Sequence, residues 1–254
     1  MLNTLEEIAN YIVTDGKGIL AADESTGTIK KRFDSIGVES TEENRRDYRE
    51  MLFRSSSMAE AIGGVILYDE TLRQNSSDGN PLREIILKQK SLPGIKVDQG
   101  VKPLIEGSSE TITIGLDGLD ERCREYNQLG AKFTKWRAVI AIKNDELPSD
   151  DCINQNMEAL ADYALIAQKN NMVPIVEPEV IMDGDHSIDR CFDVTKKTLN
   201  KLYDALDKKN VNIKGILLKP NMIVSGTKNS VQAPIQEVAE KTLDCLKSSI
   251  SNDT

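Results

Sequence analysis

VPIVEPE, residues 173–179, is apolar as far as Val176 and then carries two carboxylates, Glu177 and Glu179. A short apolar run rich in β-branched residues reads as a strand buried on both faces. Side chains alternate along a strand, so Glu177 and Glu179 share one face. Five other runs have the same look: GILAAD (18–23), GGVILYD (63–69), GIKVD (94–98), AKFTKWRAVI (131–140) and GILLKPN (215–221). Helical periodicity fills stretches between and after them, at 41–53, 119–129, 153–170, 188–209 and 234–249, with Ser40 and Glu43 at capping-box spacing before the first. Repeated βα units predict a parallel sheet, either doubly wound or closed as a barrel.

Charge decides between the two. Asp23 ends the first run, Lys96 lies in the third, Lys135 and Arg137 in the fourth, Glu177 and Glu179 in the fifth, and Lys219 follows the two leucines of the sixth. One charge at a strand end is usually the start of a solvated loop. Charges at nearly every strand end point to a (β/α) barrel, whose active site gathers residues from the C-terminal ends of several strands. Clustered lysines, arginine and carboxylates offset one another's burial. A neighbouring cation and partial loss of water favour the neutral form of a lysine amine, which can then attack a carbonyl and form a Schiff base.

Composition narrows the chemistry. The chain has 254 residues with 39% hydrophobic content, enough for a real core, and no linker or low-complexity tract breaks it, so a single domain over 1–254 is expected. A net charge of −9 and a pI near 4.9 argue against nucleic-acid and anionic-membrane partners. Cys123, Cys152, Cys191 and Cys245 lie far apart without CxxC spacing and read as free thiols, and the N-terminus lacks the pattern of a signal peptide, so a cytoplasmic protein is expected. The single histidine, His186, reads as a polar loop residue in DGDHS and leaves too few ligands for a catalytic zinc site. No metal and no cofactor are expected. Neither GxxxxGK[ST] nor a GxGxxG after a strand occurs, and the two glycines of DGKGIL precede their strand as a turn.

The motifs GILAADESTGTIKKR, STEENRRDYRE, GGVILYDET, GIKVDQGV, GLDGLDERC, KFTKWRAV, VPIVEPE, DGDHSIDRC and LLKPNM, in this order and spacing, resemble the class I fructose-1,6-bisphosphate aldolases over nearly the whole chain. The resemblance implies metal-independent cleavage of a phosphorylated sugar, fructose 1,6-bisphosphate, in glycolysis and gluconeogenesis. It implies that Lys219 forms the Schiff base and that Glu177 moves protons as the carbinolamine forms and dehydrates. Glu179 matches the neighbour that helps hold the lysine network, Asp23 the carboxylate that deprotonates the C4 hydroxyl, and Lys135 the cation beside the Schiff-base lysine. Ser25, Arg32, Arg45, Lys96 and Arg137 match positions that contact the substrate or its phosphates.

Against the eight strands of the family barrel, this chain offers six, with no counterpart of the LSGGQ-like and SYGR-like segments or of the C-terminal tyrosine. The expectation is therefore a TIM-type barrel that is incomplete, about six of eight βα units, and the homotetramer that the family implies is weakened accordingly. A second reading makes the chain a truncated, non-catalytic fragment or a subunit partner of a full-length aldolase. A third, more distant one is another lysine-dependent lyase of the deoxyribose-phosphate or transaldolase kind.

Overall fold

The six apolar runs form strands of one parallel sheet in a computed structural model that describes residues 2–144 and 146–251. In chain order the elements of the first half are α1 (Leu5–Ile12), β1 (Gly18–Ala22), α2 (Thr26–Asp34), α3 (Glu42–Phe53), α4 (Met58–Ala61), β2 (Ile62–Leu67), α5 (Asp69–Arg73), α6 (Leu82–Lys88) and β3 (Leu92–Lys96). They continue with β4 (Val101–Pro103), β5 (Thr111–Thr113), α7 (Leu119–Gln128), β6 (Phe133–Ile140), α8 (Asp150–Lys169), β7 (Val173–Val180), α9 (Ile188–Lys208), β8 (Leu217–Leu218) and α10 (Ile235–Ser249). The end of the polar tail, beyond Ser251, lies outside the described residues.

The sheet order is β1-β2-β3-β6-β7-β8, every pairing parallel, with β4 and β5 set apart as a two-stranded antiparallel ribbon. Strands thus follow one another around the sheet in chain order. A doubly wound fold would reverse that order at a switch point, and none occurs here. The result is a curled half-barrel with β1 and β8 at its edges.

Alternation along the strands divides the sheet into two faces. Val65, Leu67, Ile95, Trp136, Ala138, Ile140 and Val176 join the large core together with residues of α6 to α9. Trp136 stacks on Tyr163 of α8 at 5.4 Å between centroids, and the buried tyrosine hydroxyl donates to the Ile175 carbonyl at 3.1 Å. On the other face, Ile66, Phe133, Val173 and Ile175 pack with Ile8, Ala9 and Ile12 of α1, and Ile19, Leu92 and Leu217 border them. The register puts Lys96, Lys135, Glu177 and Lys219 on that same face, closer to the C-terminal ends. Inside the curl, therefore, an apolar floor lies below a charged upper layer. Each buried Ile or Phe of the floor contributes about 1.5–3 kcal/mol.

Two glycines make the floor possible. A Cβ on Gly63 would lie 2.1 Å from the Ile12 carbonyl oxygen, and one on Gly94 would lie 2.3 Å from the Phe133 ring. Without side chains there, the end of α1 and the phenylalanine ring can reach the sheet. Sequence periodicity identified the long helices within a few residues, but the cap of α3 differs. Thr41, and not Ser40, accepts from the Asn44 N–H at 3.1 Å, because the helix begins one residue later and Ser40 offers its carbonyl to Arg45 instead.

Candidate functional site

β8 ends at Leu218, so Lys219 stands just beyond the strand, its amide held by the Val176 carbonyl at 2.9 Å. Its side chain is 51% exposed and its ammonium pairs with Glu177 Oε1. The other oxygen of Glu177 lies 3.3 Å from Lys135 Nζ, and Lys135 in turn donates to Asp23 Oδ2 at 3.0 Å. Lys219, Glu177, Lys135 and Asp23 form one chain of alternating charge across β8, β7, β6 and the end of β1. Glu177 is its most enclosed member, with 3% of its side chain exposed. Such a carboxylate, touching two ammonium groups, can pass a proton at the half-exposed amine while the second cation holds it in place.

Burial works against the Lys135 ammonium, but the charges of Asp23 and Glu177 outweigh it and hold its pKa above the ordinary lysine value. Lys135 is a fixed cation. Arg137, two residues further along β6, pairs with Glu179, and Lys96 at the end of β3 pairs with Asp98 at 2.6 Å. A cleft of about 940 Å³ opens over these ends and is lined by Asp23, Ser25, Arg32, Lys96, Lys135 and Arg137, among others. Ser25 also caps α2, and Arg32 pairs with Glu24 across the cleft mouth.

Arg45 is placed elsewhere. Its guanidinium forms a two-point pair with Glu70 and donates to the Ser40 carbonyl at 2.7 Å, and it does not line the cleft. A helix with three arginines at 45, 46 and 49 gives no sequence signal for which one points inward. Sequence reading also passed over Arg49, fully buried between Glu24 and Glu70, and Asp98, the last residue of the run GIKVD. Among the described residues no group of three or more His, Cys, Asp or Glu side chains is placed to hold a metal ion, and no helix is long and apolar enough to cross a membrane.

His186 is a loop residue, as its sequence suggests, yet it is buried. It lies in the loop after β7, but only 7% of it is exposed and neither ring nitrogen has a hydrogen-bond partner among the described residues. The loop is folded inward because the Gly226 N–H donates to the His186 carbonyl at 2.9 Å and Lys228 N–H to that of Gly184 at 2.8 Å. Desolvation lowers the imidazole pKa below its usual value. The unfolded chain therefore binds the proton more readily, so stability is fully present above about pH 6.5 and falls as pH drops below it. Since the chain has one histidine, urea midpoints between pH 7.5 and 5.5 are expected to fall in the wild type and to flatten in His186→Gln; equal slopes would overturn the assignment.

The family model described as "Glycolytic: Fructose-bisphosphate aldolase class-I" matches residues 4–253. A "Probable fructose-bisphosphate aldolase class 1" of Xanthomonas campestris pv. campestris is 50% identical over 249 residues, 98% of this chain and 74% of that protein. "Fructose-bisphosphate aldolase 5, cytosolic" of Arabidopsis thaliana is 49% identical over 97% of this chain and 68% of its own length. Among solved structures, fructose-bisphosphate aldolase from Plasmodium falciparum, crystallised in complex with TRAP and a small-molecule inhibitor, has a TM-score of 0.95 at 43% identity, over 98% of this chain and 72% of that one. The chain spans about three quarters of the length of the first of these relatives, and the family match from 4 to 253 gives no support to the expectation of a truncated domain.

Proposed function

The chain belongs to the class I fructose-bisphosphate aldolase family, and from that premise we propose that it cleaves fructose 1,6-bisphosphate through a Schiff base on Lys219. The observation that carries this is the charge chain Lys219–Glu177–Lys135–Asp23 at the C-terminal ends of the strands, beside a cleft large enough for a sugar bisphosphate. The enzyme reading is favoured over a non-catalytic fragment because relatives at about 50% identity over nearly the full chain are named for this activity.

In the proposed sequence, the neutral Lys219 amine attacks the C2 carbonyl, and Glu177 protonates the carbinolamine hydroxyl so that water leaves. As Asp23 takes the proton of the C4 hydroxyl, the C3–C4 bond breaks and its electron pair moves into the iminium, giving an enamine and glyceraldehyde 3-phosphate. Protonation at C3 and hydrolysis of the imine then release dihydroxyacetone phosphate and restore the amine. Lys135 keeps positive charge beside Glu177 and Asp23 throughout. Glu179 holds Arg137, which with Lys96, Arg32 and Ser25 faces the phosphorylated ends of the substrate. Arg45 supports this region through its pair with Glu70.

We take the six parallel strands as six βα units of an eight-unit barrel in one domain, working in the cytosol as the name of the Arabidopsis relative says of that protein. The test is to incubate the chain with dihydroxyacetone phosphate, reduce with borohydride and map the adduct by peptide mass spectrometry. An adduct confined to Lys219 is expected. An adduct on Lys135 instead, or none, would overturn the assignment.

A further inference from the structure

Asp98 takes no part in the chain of charges that ends at Lys219, yet it is 9% exposed and all three of its oxygens are occupied. Its backbone carbonyl accepts from Lys96 Nζ at 2.9 Å, and Oδ1 accepts from the same ammonium at 2.6 Å. Oδ1 also accepts from the Gly100 N–H at 3.3 Å, and Oδ2 faces the Arg137 N–H of β6 at 3.4 Å. The turn itself is clamped by Arg122, which donates to the Val97 carbonyl at 2.9 Å. Asp98 is thus a rigid two-point cradle for the end of a long, flexible side chain, and it is tied to the next strand.

We propose that Asp98 is the positioning residue for Lys96, holding two of its three ammonium donors so that the third is aimed into the cleft at the phosphorylated substrate. The proposal rests on the reading of Lys96 as a residue that contacts the substrate. An ammonium has three N–H bonds and no acceptor, so two held by Asp98 leave one, with a fixed direction, where a free lysine would sweep many. The cradle also sets the sign of the expected effect. Neutralising Asp98 leaves Lys96 with unbalanced positive charge, which by itself would tighten binding of an anion; losing the aim of Lys96 would weaken it.

The measurement is the Kd, by calorimetry on the full chain, of hexitol 1,6-bisphosphate, which carries both phosphates but no ketone and so forms no imine. Asp98→Asn is expected to weaken binding about tenfold, while the same change in a Lys96→Met background moves the Kd by less than about twofold, the non-additivity of two groups acting as one. In turnover, Asp98→Asn raises KM for fructose 1,6-bisphosphate similarly and leaves kcat within about twofold, as expected for binding shared by ground and transition states. A merely structural role would lower the melting temperature without this dependence on Lys96. If Lys96→Met alone leaves the Kd unchanged, the reading of Lys96 falls and the role of Asp98 with it. If Lys96→Met weakens binding but Asp98→Asn leaves it unchanged, tightens it, or weakens it equally in the Met background, only the role of Asp98 falls.

Discussion

Lys219→Met is expected to lower kcat by about 10⁴-fold or more, the scale seen when a covalent nucleophile is removed from its site. The fold should barely notice. With 51% of its side chain exposed and its strand already ended at Leu218, Lys219 leaves no cavity when replaced, and losing its pair with Glu177 is expected to cost about 1 kcal/mol or less. Glu177 would still face Lys135, so no unpaired buried carboxylate is created. Lys219→Arg separates charge from chemistry: guanidinium keeps the ion pair with Glu177 but stays protonated and cannot attack a carbonyl. Both variants should therefore melt like the wild type and fail equally in a coupled assay for triose phosphates. Activity of Lys219→Arg within tenfold of wild type would mean that the positive charge, and not the amine, is what the site uses.

The ease with which the sequence yielded this residue has a physical basis. Along these runs the apolar residues come first and the charges after them, so Asp23, Glu177 and Lys219 marked both the sheet and the mouth of its curl. The repeated βα pattern left doubly wound and barrel orders open, and it was the charges at the strand ends that pointed to the sequential order of a barrel. The rest depended on contacts between distant segments. Nothing local says that α1 plugs the bottom of the curl; that follows from Gly63 lying against Ile12 and Gly94 against Phe133, neither pair adjacent in sequence. The β4–β5 ribbon was missed because strands of three residues are too short to show alternation. On α3, Arg45 and Arg49 are four residues apart and share a face, and only the tertiary positions of Glu24 and Glu70 make them a scaffold behind the cleft. Asp98 was hidden for a related reason: a carboxylate two residues after a lysine looks like solvated charge until the turn folds it back onto that lysine.

Glu177→Gln should damage rate and stability together, and the two effects have separate causes. Glu177 is 97% enclosed if judged by its 3% side-chain exposure, and each of its oxygens faces a different ammonium. A glutamine of the same shape has one oxygen to offer Lys135 or Lys219, and its amide N–H bonds then point at the other, donor against donor. Losing a charged acceptor from a buried network costs about 1–3 kcal/mol, offset in part because Asp23 still pairs with Lys135 and Lys219 can turn to water. The rate effect is larger: without a proton to give to the carbinolamine hydroxyl, kcat is expected to fall about 10²–10⁴-fold. KM should change little, since the missing proton matters only on the way to the transition state. Urea midpoints measure the first effect and single-turnover rates, corrected for the folded fraction, measure the second. A stability loss with an unchanged rate would make Glu177 a strut between two lysines and move the acid–base role to another group; a lowered rate with unchanged stability would show that Lys135 needs only Asp23 to stay charged in its buried position.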